Sequence, residues 1–222
     1  MKKISILYFL LPLALCWAGS IMAQVAAPFA NEIADFKKRD SLHAPAPGGV
    51  LFLGSSSFRL WEGIEKSFPG VPLINRGFGG SSLPDVIAYV DDIVFPYAPK
   101  QVVIYCGEND FASADSITAQ TVFARFIKLF GIIRNRLPNT HIAFVSIKPS
   151  PSRAHLMPKM VEANGLIRTF LEQEKQTAFV DVYKLMLDKD GKPMEDIFLE
   201  DRLHMNGKGY EIWRKALLPV IL

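Results

Sequence analysis

Val50-Leu51-Phe52-Leu53-Gly54-Ser55-Ser56-Ser57 is the stretch on which the reading of this chain turns. Four apolar residues follow one another without a polar break, and a glycine and three serines end the run. A run this short and this continuous reads as a strand buried on both faces, which is the mark of a parallel sheet covered by helices. Four more runs of the same kind follow, at residues 71–74, 101–106 (QVVIYC), 141–147 (HIAFVSI) and 178–182 (AFVDV).

Helical periodicity fills the gaps between them. Residues 118–137 carry Val122, Phe123, Phe126, Phe130 and Ile133 at three-to-four spacing, and residues 160–174 repeat the pattern with Val161, Leu166, Ile167, Phe170 and Leu171. Residues 84–94 and 209–218 read as two further helices. Upstream, residues 28–38 read as a short amphipathic helix and residues 43–49 (HAPAPGG) as a turn. Strand–helix alternation predicts a five-stranded parallel sheet with helices on both faces, a three-layer α/β/α sandwich. No internal repeat, low-complexity segment or second domain interrupts it. The length, 222 residues, suits one domain with a sizeable core, and 50% apolar with 21% charged residues is globular composition.

The first residues have a different character. Met1-Lys2-Lys3 is basic, residues 4–17 are an apolar run interrupted at Ser5 and Pro12, and the small residues Ala18, Gly19, Ser20 and Ala23 follow. This is the layout of a secretory signal peptide, with cleavage expected after Ala23. The expected organisation is therefore a signal at 1–23 and one domain at 24–222, exported to the periplasm or the medium. An uncleaved anchor over residues 4–23 is the alternative, and a lipoprotein signal at Cys16 is weaker because Leu15 is bulky. Losing Lys2 and Lys3 brings the formal charge of +3 closer to neutral. With no basic run, nucleic acid is not an expected partner. Only Cys106 would remain of the two cysteines, so no internal disulfide is expected.

In sheets of this kind ligands sit beyond the carboxyl ends of the strands. Four strand ends here carry residues with chemistry to offer. Gly54-Ser55-Ser56-Ser57 puts a serine on a turn that glycine permits. Asn75-Arg76-Gly77-Phe78-Gly79-Gly80-Ser81 offers a backbone N–H free to approach a ligand. Gly107-Glu108-Asn109-Asp110 offers a side-chain amide that donates without titrating. Asp201-Arg202-Leu203-His204 offers an imidazole base with a carboxylate three residues away to fix its tautomer. Each alone is better read as a turn, a cap or a pair of surface charges. Together they supply every role that acyl transfer requires.

The blocks LFLGSSSFRLW (51–61), NRGFGGSS (75–82), YCGEND (105–110) and EDRLHMNGKGY (200–210) resemble, in order, those of the SGNH/GDSL hydrolase family. The resemblance runs from Val50 to Tyr210. It implies the flavodoxin-like SGNH hydrolase fold, with Ser56 as nucleophile, His204 as base and Asp201 as its partner. It also implies an oxyanion hole made of the backbone N–H groups of Ser56 and Gly80 and the Asn109 amide. No metal or organic cofactor is called for.

The chain departs from the family at Ser55, where aspartate is usual, and at Glu108, where threonine is frequent. One expectation is that Glu108 pairs with Arg59 or Arg76 and braces the nucleophile turn; the other is that these are solvated surface charges. His43 and His141 are poor candidates by position. His155 and Arg153 lie on the connection at 148–160, which could reach the alcohol part of a substrate. Cys106 reads as a small core hydrophobe.

With no long apolar lid, small acyl groups are favoured, and an O-acetylated carbohydrate is the first choice of substrate. A lysophospholipase or thioesterase is the runner-up, and a non-catalytic carbohydrate-binding protein is the alternative outside enzymes.

Overall fold

The computed structural model describes residues 27–222; the expected signal at 1–23 and Cys16 lie outside them. Five parallel strands form one sheet: β1 (Val50–Gly54), β2 (Leu73–Gly77), β3 (Gln101–Tyr105), β4 (His141–Val145) and β5 (Thr177–Val180), in the order β2-β1-β3-β4-β5. The helices are α1 (Ala30–Leu42), α2 (Ser56–Arg59), α3 (Ile64–Ser67), α4 (Leu83–Ala88), α5 (Val90–Ile93), α6 (Glu108–Ser113), α7 (Ala119–Arg136), α8 (Met157–Leu171) and α9 (Gly207–Leu217). The expected three-layer architecture is the observed one.

Strand side chains alternate between two cores, as a period of two demands. Leu51, Leu53, Val102, Ile104, Ile142 and Phe144 face a core shared with α1, α4, α5, α7 and α8. Val50, Phe52, Val103, Tyr105, Ala143 and Val145 face the other, with Phe58 of α2, Ile64 of α3 and Trp213 of α9. That second core is aromatic at its centre. Trp213 is wholly buried, with ring centroids 4.7 Å from Tyr105 and 5.8 Å from Phe58. Burying one such ring stabilises by about 1.5–3 kcal/mol, and each edge contact adds on the order of 0.5–1.5 kcal/mol. Since α2 follows Ser56's turn and α9 follows the His204 block, this cluster holds two distant segments in fixed relation.

Several expected boundaries shift. β2 begins and ends later than residues 71–74, because Asn75, Arg76 and Gly77 continue the ladder although they look like a loop. The segment after Ser55 forms two short helices, α2 and α3, separated at Gly63, whose φ is 64°. The helix expected at 84–94 likewise breaks at Tyr89. Among the described residues no helix is long and apolar enough to cross a membrane.

The chain reverses direction across the sheet between β1 and β3. β2 lies on one side of that pair, β4 and β5 on the other. The crevice at such a switch point is where open α/β sheets bind ligands. Ser56 leaves β1 there and Asn109 leaves β3.

Candidate active site

Ser56 stands on a turn that only glycine allows. Gly54, the last residue of β1, has φ 146°, and a Cβ there would lie 1.9 Å from the Tyr105 carbonyl oxygen. That carbonyl instead accepts the Ser55 N–H at 3.1 Å. Ser55, which replaces the family's aspartate, is buried and sits at the N-cap of α2. Two anchors keep Ser56 at the surface of this turn. Phe58 is buried among Phe52, Tyr105 and Trp213, and the Tyr210 hydroxyl of α9 donates to the Ser57 carbonyl at 2.9 Å.

Asp201 and His204 sit on the tip of a small hairpin closed by the antiparallel bridge between Phe198 and Met205. The Leu199 N–H donates to the His204 carbonyl, and Arg202 turns the chain with φ 56°. Asp201 closes the turn on itself. Its Oδ1 accepts the backbone N–H groups of Leu203 and His204, both at 2.9 Å, and its Oδ2 meets His204 Nδ1 at 2.5 Å. Partial burial would raise this carboxyl, but those donors outweigh it and lower its pKa to about 2. A carboxylate only accepts, so Nδ1 carries the proton and Nε2 presents its lone pair. Ser56 Oγ lies 3.0 Å from that Nε2. Three residues from two ends of the chain thus form one hydrogen-bonded series, through which a hydroxyl proton can pass to a base whose cation is stabilised by a carboxylate.

Gly80 and Asn109 face each other across the same crevice. A Cβ at Gly80 would stand 3.9 Å from Asn109 Nδ2. The Asn109 amide is fixed at both ends: Nδ2 donates to the Ser81 carbonyl at 3.1 Å, and Oδ1 accepts from Arg153 Nη1 at 3.0 Å. One Nδ2 hydrogen is left over for a ligand. Its neighbour Asp110 performs the capping role that its residue type suggests, though on a distant helix. Its Oδ2 accepts the N–H of Leu83 at the start of α4, and its Oδ1 accepts from Arg125.

The expected partners of Glu108 are wrong, and so is the alternative of a solvated charge. Glu108 is 4% exposed. Its carboxylate accepts from the Tyr105 hydroxyl at 2.6 Å and from Lys148 Nζ at 3.0 Å, with Arg153 Nη1 at 3.3 Å. Burial alone would raise the Glu108 carboxyl, but Lys148 and Arg153 hold it below its ordinary value. Arg76 instead pairs with Asp40, and Arg59 lies 4.0 Å from Glu32. The reason is topological: Glu108 opens α6 on the side of the switch point facing β4 and its following loop, whereas Arg76 ends on the β2 side.

The connection at 148–160 contains a 3-10 turn, Pro151–Leu156, and lies against the hairpin through Ser152 N–H and the Arg202 carbonyl. His155 is exposed on it. His43 caps the end of α1, and His141 opens β4 at the end of the strands opposite Ser56. Cys106 is buried in the core as a small apolar residue. Two residues at the site gave no signal in the sequence. Lys148 is fully buried beside Glu108, and Glu32 of α1 accepts the Gly79 N–H at 2.9 Å.

A parallel α/β/α sheet with a serine, an imidazole and a carboxylate in hydrogen-bonded series at its switch point has the form of an ester-bond hydrolase. The chain belongs to the GDSL-like Lipase/Acylhydrolase family, whose pattern matches residues 45–212. Among curated proteins, none matches it. Similar solved structures include a GDSL-like lipase from Bacteroides thetaiotaomicron, with TM-score 0.71, 18% identity, and 85% of this chain and 96% of that chain covered. A member of the lipolytic protein G-D-S-L family from Veillonella parvula has TM-score 0.62 and 18% identity over 77% of this chain and 96% of that chain. A catalytic mutant of an acetylxylan esterase from Geobacillus stearothermophilus has TM-score 0.62 and 16% identity over 78% of this chain and 94% of that chain. At such identities these structures share the fold.

Proposed function

We propose that the protein is an exported serine esterase that cleaves short acyl esters, acetyl foremost, from a carbohydrate. The observation that carries the proposal is the series Ser56 Oγ, His204 Nε2, His204 Nδ1, Asp201 Oδ2, with separations of 3.0 and 2.5 Å. In this reading His204 takes the Ser56 proton as the hydroxyl oxygen attacks the ester carbonyl. Asp201 holds the imidazolium that forms. The backbone N–H groups of Ser56 and Gly80 and the spare Asn109 hydrogen receive the oxyanion. His204 then protonates the departing alcohol, and water releases the acyl group by the same route.

The substrate reading has its own support. The sequence carries no long apolar lid, which favours small acyl groups, and the expected export puts esters outside the cytoplasm within reach. Export rests on the basic-apolar-small order of residues 1–23.

The test is turnover of p-nitrophenyl acetate against the octanoate, and of an O-acetylated xylan, by the wild type and Ser56→Ala. Acetate preferred over octanoate, acetate released from the polymer, and no turnover by Ser56→Ala are the expected results. Preference for octanoate would point to a lysophospholipase or thioesterase instead.

A further inference from the structure

Behind the crevice, one buried carboxylate gathers two cations, and each cation reaches a different part of the site. Glu108 accepts from Lys148 through both oxygens, at 3.2 and 3.0 Å, and pairs with Arg153 at 3.3 Å. Side-chain exposures are 5% for Glu108, 1% for Lys148 and 19% for Arg153. Two charges at such depth require both good geometry and further hydrogen bonds to be tolerated at all. They have them: Tyr105 completes Glu108, and Lys148 Nζ donates a third bond to the Leu203 carbonyl at 3.0 Å.

The Leu203 carbonyl and the His204 N–H belong to the same peptide unit. Lys148 holds its oxygen, and Asp201 Oδ1 holds its N–H at 2.9 Å. The plane that carries the His204 Cα is therefore pinned at both ends. On the other branch, Arg153 Nη1 donates to Asn109 Oδ1 at 3.0 Å while Ser81 accepts from Asn109 Nδ2. This bond excludes the flipped amide, in which an NH₂ group would face the guanidinium. A cation on the amide oxygen also polarises the remaining Nδ2 hydrogen.

We propose that Glu108, Lys148 and Arg153 form a positioning device: Lys148 sets the peptide that carries the base, Arg153 orients and polarises the Asn109 donor, and Glu108 holds both cations in place. The inference rests on the serine-esterase reading of the same site. It assigns the 148–160 connection a role in aligning the chemistry. None of the three touches the reacting atoms, so their effect falls on turnover more than on substrate binding.

The decisive variant is Arg153→Ala, because Arg153 is the member least enclosed. Steady-state kinetics on p-nitrophenyl acetate are compared for wild type, Arg153→Ala, Arg153→Lys, Lys148→Met and Glu108→Gln, with thermal unfolding followed in parallel. Arg153→Ala is expected to stay folded and to lose about 10- to 100-fold in kcat with KM changed by less than about threefold, the scale of a misaligned site. Millimolar guanidinium should restore part of that loss, and Arg153→Lys should retain more activity than Arg153→Ala. Neither effect belongs to a merely structural residue. If Lys148→Met or Glu108→Gln unfolds, the Arg153 series still decides. Folded Arg153→Ala with kcat within twofold of wild type overturns this inference alone. A wild type with no Ser56-dependent turnover overturns it together with the esterase reading.

Discussion

Glu32 Oε2 accepts the backbone N–H of Gly79 at 2.9 Å. Glu32 belongs to α1, which precedes the family-matched residues 45–212, and Gly79 adjoins the proposed oxyanion donor Gly80. The contact is reinforced by Phe29, whose ring lies 5.3 Å from Phe78 and fills the space that a Cβ on Gly79 would need. At its other end α1 is tied to β2. Arg76 lies between the Phe36 and Tyr97 rings and donates to Asp40 at 2.5 Å. Burial, together with the Asp40 carboxylate, pushes the Tyr97 hydroxyl up to about 12, so it remains a donor to Asp40. The N-terminal helix thus braces the loop that faces Asn109.

Glu32→Ala should therefore cost about 1 kcal/mol of stability, because the carboxylate is one-third exposed and its bond is weakened by water. It should lower kcat by roughly three- to tenfold with little change in KM. Urea unfolding and ester kinetics on the same preparation check both.

Asn109→Ala should lower kcat by about 100- to 1000-fold, the range for losing one oxyanion donor. KM should change little, since the donor acts mainly on charge that develops in the transition state. Steady-state kinetics at constant pH measure the split.

Gly54→Ala should destabilise by at least about 3 kcal/mol or prevent folding, because it combines a φ of 146° with a 1.9 Å approach to a strand carbonyl. Soluble yield and the urea midpoint report the outcome. A stable Gly54→Ala protein would contradict the described turn at Ser56.

The Asp201 carboxyl titrates at about 2 in the folded protein, below the value of about 3.9 for an unfolded chain. Its contribution to stability is therefore fully present above about pH 4 and is lost as pH falls toward 2. Asp201 is 47% exposed at its side chain, so the amount is no more than about 1 kcal/mol. The urea midpoints of wild type and Asp201→Asn should converge as pH falls from about 4 toward 2. At neutral pH, turnover by Asp201→Asn should fall by orders of magnitude, because the amide does not enforce the imidazole tautomer.

What the sequence discloses depends on how local the cause is. The five strands and the layers they form follow from continuous apolar runs and helical periodicity, both local patterns. The pairing of Asp201 with His204 was also legible, since a three-residue turn brings the two together whatever surrounds it. The end of β2 is hidden because Asn75 and Arg76 are polar, and nothing near them announces that Phe36 and Tyr97 will enclose the guanidinium. Lys148 looks like a surface lysine at the start of a Pro-rich connection. Only the juxtaposition of β3 and β4 makes it the partner of Glu108, 40 residues away. Glu32 reaches Gly79 across 47 residues and belongs to no block. Polar residues buried by tertiary contact leave no periodic trace, so they escaped the reading.

The nucleophilic role of Ser56 is tested most directly by reaction with a fluorophosphonate probe, followed by mapping of the labelled peptide. The expected result is one label per chain, on Ser56, with none on Ser56→Ala and slow reaction on folded His204→Ala. A folded wild type that stays inert, or label that persists on Ser56→Ala at the wild-type rate, would contradict the serine mechanism.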